Sequence, residues 1–238
     1  MKKKLIYFTS LLVIASVAIS CGKTNKRKLS NDWTVSSMYQ EVEFKSYEDS
    51  EDYKENRESE STTTIEDGKY VYKWSFDNES SFYVPGIDDW QTNTNSGDDK
   101  EEGDVLVYDF KITKDGNWER HFVLKQEGPN NSTIEMEQKE TGTWSFVKKS
   151  EEFIKNERVL FNVLTAEETH TFTDEDGESN VDKESWTYKS GENTNVYVVK
   201  ESTKDELSLM MEGETVNVFE DGGSTRTTSV LINLVAVD

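Results

Sequence analysis

Two runs of strict alternation constrain this chain more than anything else in it. Tyr70, Tyr72, Trp74 and Phe76 alternate with Lys69, Val71, Lys73 and Ser75. Leu106, Tyr108, Phe110 and Ile112 alternate with Val105, Val107, Asp109 and Lys111. A period of two places one set of side chains on one face of an extended strand, so each run predicts a strand with an apolar face. Lys114-Asp115-Gly116-Asn117 follows the second run, and Trp118, Phe122 and Leu124 then alternate again. Two such runs joined through Asp-Gly predict a β-hairpin, because the glycine accepts the left-handed conformation that a tight turn needs.

Further strands are expected at 133–138, 142–147, 159–164, 168–173, 185–188, 195–200, 206–211, 214–219 and 228–237. Turn chemistry separates them at Gly128-Pro129-Asn130-Asn131, Asp176-Gly177, Ser190-Gly191-Glu192-Asn193, Glu212-Gly213 and Asp221-Gly222-Gly223. Many short strands with regular turns predict an all-β sandwich or barrel. No long segment has helical periodicity; residues 149–158 could form a helical turn or two. Segments 46–67 and 86–103 are acidic, rich in Ser, Thr or Asn, and poor in apolar residues. Such composition offers little area to offset the entropy of ordering, so both are expected to be long acidic loops within one domain.

The first residues carry an address. Met1-Lys2-Lys3-Lys4 precedes an apolar run from Leu5 to Ile19, and Ala18-Ile19-Ser20-Cys21 ends it. A basic start, a short apolar stretch and small residues match a secretory signal, and the run is short for a spanning helix. Cys21 is the chain's one cysteine, which excludes an intrachain disulfide. It stands where a thiol could take a diacylglyceryl group, and several acyl chains on one residue anchor a protein stably. The expected organisation is a signal peptide over 1–20, a lipidated tether over 21–30 and a single β domain over 31–238. Gly22 in place of an aspartate favours the outer membrane. The basic stretch Lys23-Thr24-Asn25-Lys26-Arg27-Lys28, in place of an acidic run, favours its periplasmic face.

Loss of Lys2, Lys3 and Lys4 with a signal would leave 24 basic against 48 acidic residues. So large a negative charge disfavours nucleic acid as a partner. The two prolines, Pro85 and Pro129, form no Pro-rich linker, and all six tryptophans follow Cys21.

Leu29-Ser30-Asn31-Asp32-Trp33-Thr34-Val35 resembles the first strand of the lipocalin-like lipoproteins common in Bacteroidetes, with Asn31 where that family has glycine. Residues Phe110 to Trp118 resemble their central Asp-Gly hairpin, Thr141-Gly142-Thr143-Trp144-Ser145-Phe146 their Gly-Thr-Trp strand, and Val196 to Met210 their late hairpin. The resemblance implies an antiparallel meander closed, or nearly closed, into a lipocalin-like barrel or cup. No C-terminal helix like that of the larger lipocalins is apparent.

Motifs for chemistry are sparse. His121 falls on the polar phase of its strand and is expected at the surface. His170 shares a phase with Phe172 and is expected to be partly buried. Neither has a histidine or cysteine nearby in sequence, so no zinc site is expected. Asp174-Glu175-Asp176-Gly177-Glu178-Ser179-Asn180 fails the calcium-loop spacing, because Gly177 at the sixth position would put Phe172 at the first. No nucleophile elbow, zinc-protease or phosphate-loop motif occurs. Arg120 lies on the apolar phase between Trp118 and Phe122, where it could stack on an aromatic ring, meet an anionic group or escape to water at a bulge or barrel end.

The expectation is therefore a membrane-anchored, non-catalytic binding or structural module, with no catalytic residue, metal or cofactor. Cys21 is its lipidation site, its ligand-binding residues are unassigned, and its occupant is a small apolar molecule or a partner protein. An envelope hydrolase using paired carboxylates is the alternative.

Overall fold

A computed structural model describes residues 26–87, 89–147 and 157–237. The signal, Cys21 and most of the 149–158 segment lie outside the described residues. A helical turn, α1 (Lys26–Leu29), leads into eleven strands. They are β1 (Asp32–Asp49), β2 (Tyr53–Glu66), β3 (Lys69–Val84), β4 (Asp89–Ile112), β5 (Asn117–Glu127), β6 (Thr133–Phe146), β7 (Arg158–Thr173), β8 (Ser179–Thr187), β9 (Thr194–Ser202), β10 (Glu206–Phe219) and β11 (Gly222–Ala236). Successive strands pair antiparallel as a meander, except that β9 pairs with β7 and not with β8, and β1 returns to β11. The β6–β7 and β7–β9 pairings complete a closed ten-strand barrel, with β8 added to the outer part of β7. The expected all-β meander barrel is what forms.

One short ladder changes its shape. Asp32, Trp33 and Thr34 of β1 pair directly with Lys111, Phe110 and Asp109 of β4. At this end, here called the base, the ring closes with eight strands, because β2 and β3 are bypassed. Above it, β2 and β3 wedge between β1 and β4, and the long strands continue as a sheet.

The core fills the base ring and reaches past it to Ile65 of β2 and Leu124 of β5. Trp33 and Leu29 are fully buried, and the Trp33 indole N–H donates to the Leu29 carbonyl at 2.9 Å. The Trp118 and Phe161 rings meet edge-on at 5.3 Å, as do Tyr108 and Phe122 at 4.9 Å. Buried indoles need a partner for their N–H. Trp118 donates to Asn162 O at 3.3 Å and Trp144 to Thr113 O at 2.9 Å. Gly142 allows this fit: a Cβ there would stand 1.9 Å from the Asn162 carbonyl oxygen. The Asp-Gly hairpin forms as expected, with Gly116 at φ 92° and Thr113 N–H donating to Asn117 O at 2.9 Å. The base of the barrel is thus filled by its own side chains.

Several expectations need correction. Segments 46–67 and 86–103 are not loops: β2 and the outer part of β4 run through them, paired along their length. Backbone ladders, β-branched residues at 62–64 and cross-strand ion pairs such as Lys45–Glu58 at 3.6 Å hold them, where composition counted only apolar area. Residues 133–138 and 142–147 belong to one strand, β6, and 159–164 and 168–173 to β7. Glu212-Gly213 is no turn, because β10 pairs with β11 straight through it. Leu106 does not face the core. A bulge between Val105 and Val107 ejects it to 53 % exposure, and Val105 takes the inward place.

Candidate functional site

A second bulge builds the candidate site. The pairing of β6 with β7 slips between Thr141 and Gly142, stepping past Leu164. Val159, Phe161 and Val163 face the core before the slip. After it, the same face carries Ala166 and Glu168, opposite Glu140 and Gln138. At this point β7 also changes partner, from β9 at residues 158–162 to β8 at 165–173. The gap left between β8 and β9 is spanned by the 188–193 loop. That loop is pinned: Tyr188 N–H donates to Leu164 O, Val163 N–H to Asn193 O and Gly191 N–H to Asn162 Oδ1. Asn162, 3 % exposed, therefore holds the loop as well as serving Trp118.

These elements enclose a pocket of about 200 Å³. Arg120, Glu140, Glu168, Trp186, Tyr188 and Asn193 carry its chemistry, with Gln138, Ala166 and Glu167 completing the wall. Arg120 sits at a regular ladder position between Phe110 and Glu140, not at a bulge, and its side chain is 25 % exposed. It neither escapes to water nor lacks a counterion: Nη2 lies 3.1 Å from Glu140 Oε1 and 3.5 Å from Gln138 Oε1. Its buried Nε has no hydrogen-bond partner among the described residues.

Two phenols stand behind it. Burial pushes the Tyr197 hydroxyl up to about 12, with Tyr108 adding to the effect. Burial raises Tyr108 as well, against the opposing pull of Arg120. Both stay neutral at physiological pH. Burial alone would weaken the Arg120 cation, but Tyr108, Glu140 and Tyr197 outweigh it and raise its pKa. Arg120 is a permanent donor set into the inner wall.

The carboxylates are engaged. Glu168 accepts from Gln138 Nε2 at 2.7 Å and lies 2.6 Å from His170 Nε2. His170, above all, holds Glu168 below the usual carboxylate range. Glu167 pairs with Lys183 at 2.9 Å. His170 is not partly buried as its phase implied: it is 47 % exposed, because the outer half of β7 rises above the filled base. His121 pairs with Glu137 across the β5–β6 ladder at 2.8 Å and is 38 % exposed. Asp174 caps its own turn, its Oδ1 accepting from the Asp176 and Glu178 amides. Among the described residues, no group of three or more Asp, Glu, His or Cys side chains is arranged to hold a metal.

Sequence reasoning singled out Arg120 but not its neighbours. Glu140, Glu168 and Trp186 meet only because the bulge shifts the phase of β7 and β8 pairs beyond it. No local pattern signals that convergence. Comparison of the chain with family models, with curated proteins and with solved structures found no match to any of them.

Proposed function

We propose that this chain is a lipid-anchored protein of the bacterial cell envelope whose barrel is a non-catalytic binding module. The lipid on Cys21 holds it at the periplasmic face of the outer membrane. Among the described residues, no helix is long and apolar enough to cross a membrane. The observation that carries the binding reading is the division of the barrel interior. The aromatic phase packs on itself, with Trp118 and Phe122 buried on either side of Arg120, while a pinned polar pocket is built at Arg120 on the side of β7 and β8. Its volume lies below the ~300–1,000 Å³ of drug-sized sites, which favours a small occupant. Against catalysis stands the pairing of each pocket carboxylate, with Glu168 held ionised where a general acid must keep its proton.

Native mass spectrometry of the protein taken from its own envelope tests the binding reading. Retained small-molecule mass in the wild type, absent from a pocket variant, is expected; repeated recovery without any ligand would sink it. Cys21→Ala tests the anchor by loss of acylation and release from the membrane fraction. A partner protein is the second reading. It is favoured by the apolar end of β10, where Val216, Val218 and Phe219 are 59 %, 78 % and 66 % exposed.

A further inference from the structure

The geometry points to a neutral sugar ring, a pyranoside, as the class of ligand taken by the Arg120 pocket. This deepens the binding reading above and rests on it. The argument begins with charge. Glu140, Glu167 and Glu168 would repel an anion, and the Nη2 of Arg120 is already committed to Glu140 and Gln138. A cation gains little either, because Arg120, Lys183 and His170 already face those carboxylates. Each carboxylate of the wall is thus already engaged.

The wall is nevertheless dense in polar groups of both kinds. Arg120 only donates, ionised Glu140 and Glu168 only accept, and the Gln138 and Asn193 amides do both. The functional group that meets donors and acceptors at once without carrying charge is the hydroxyl.

The remaining wall is flat and apolar. Trp186, directly opposite Ala166 on the β7–β8 ladder, is 40 % exposed and lines the pocket with Tyr188. Large aromatic faces with a polar edge suit a ligand that is apolar on one face and polar at its rim. A pyranose has that form, with axial C–H groups on a face and hydroxyls around it. The pocket volume admits one such ring and little more.

Saturation-transfer NMR on the full chain in detergent tests this, with methyl glycosides of glucose, galactose and mannose and with N-acetylglucosamine. Choline and hexanoate serve as cationic and anionic comparators. At least one sugar should bind with a Kd of roughly 1 mM, as expected for one exposed ring, with transfer strongest at its ring C–H protons. Trp186→Ala, on an exposed strand, should weaken that binding about tenfold or more, and Trp74→Ala, on distant β3, should leave it unchanged. Sugar binding that ignores Trp186→Ala overturns the site. A comparator that binds through Trp186 while every sugar fails overturns the sugar class and leaves the binding module standing. No binding by any probe overturns both.

Discussion

The base ring and the long sheet above it are built from the same strands and held by different forces. At the base, Trp33, Val159, Leu207 and Leu234 are at most 1 % exposed, and each strand turns one face into a shared core. Above it, β4 is exposed along almost its whole length from Asp89 to Glu102, and β10 is exposed from Glu212 to Phe219. The upper ladders nevertheless run without interruption for fourteen pairs between β2 and β3 and sixteen between β3 and β4. Closure and burial stabilise the first region. Backbone pairing, cross-strand contacts and half-buried rings such as Trp74 on Phe76 at 5.3 Å stabilise the second. A β-sheet can therefore extend well beyond its core, at the expense of local stability.

The largest expected difference is in amide hydrogen exchange. Amides of the base ring should exchange at least about 1,000-fold more slowly than those of β10 from Glu212 to Phe219, which lie beyond the β9 ladder at Leu207–Met210 and pair on one side with β11. Equal protection would refute the contrast. Next comes truncation. Trp33→Ala should cost about 3–5 kcal/mol in chemical denaturation, whereas Trp74→Ala should cost about 1 kcal/mol. Two glycines sharpen the same point. Gly142→Ala drives a methyl into the Asn162 carbonyl and should cost about 1–3 kcal/mol. Gly213→Ala meets nothing within 4 Å and has no positive φ to strain, so it should be neutral or stabilise by up to about 1 kcal/mol. Similar losses at both glycines would mean that the upper sheet is packed as tightly as the base.

The smallest expected effect is in acid. His170 lowers Glu168 below its ordinary 4.5, and Lys139 followed by His121 lowers Glu137. Carboxyls depressed in the folded state contribute stability that is fully present above their unfolded pKa and lost as pH falls through the folded value. Stability should therefore decline below about pH 4.5. Glu168→Gln should flatten that decline slightly in denaturation curves taken across pH 3–6. An unchanged curve would show that the His170 contact contributes nothing.

Much of the base was legible in the sequence. Phe110, Trp118, Phe122 and Trp144 lie on alternating phases that survive into the core, and Asp115-Gly116 makes its turn where the pattern places it. The upper sheet was not legible, because Ser59 to Thr64 or Asn93 to Asp99 are paired by backbone groups that every residue carries. The pocket was half legible. Arg120 stands out as a charge on an apolar phase. The carboxylates and indole around it converge through a bulge that skips Leu164 and through a change of strand partner, neither of which leaves a periodic trace.

The direct pairing of β1 with β4 also sets a direction. The β1 start and the β11 end lie together at the base, where Val237 N–H donates to Asp32 O at 3.0 Å. Leu29 is buried there, so a leash from a lipid on Cys21 comprises the ~8 residues to Lys28 and spans at most about 30 Å. Under the proposed anchor the base is the foot of the molecule, tied close to the bilayer. The ~15 residues of β4 beyond the ring then rise about 50 Å from it. The hairpin tips at Ser50–Asp52, Pro85–Ile87 and Glu220–Asp221 become its outermost points, the first parts that a passing macromolecule would meet.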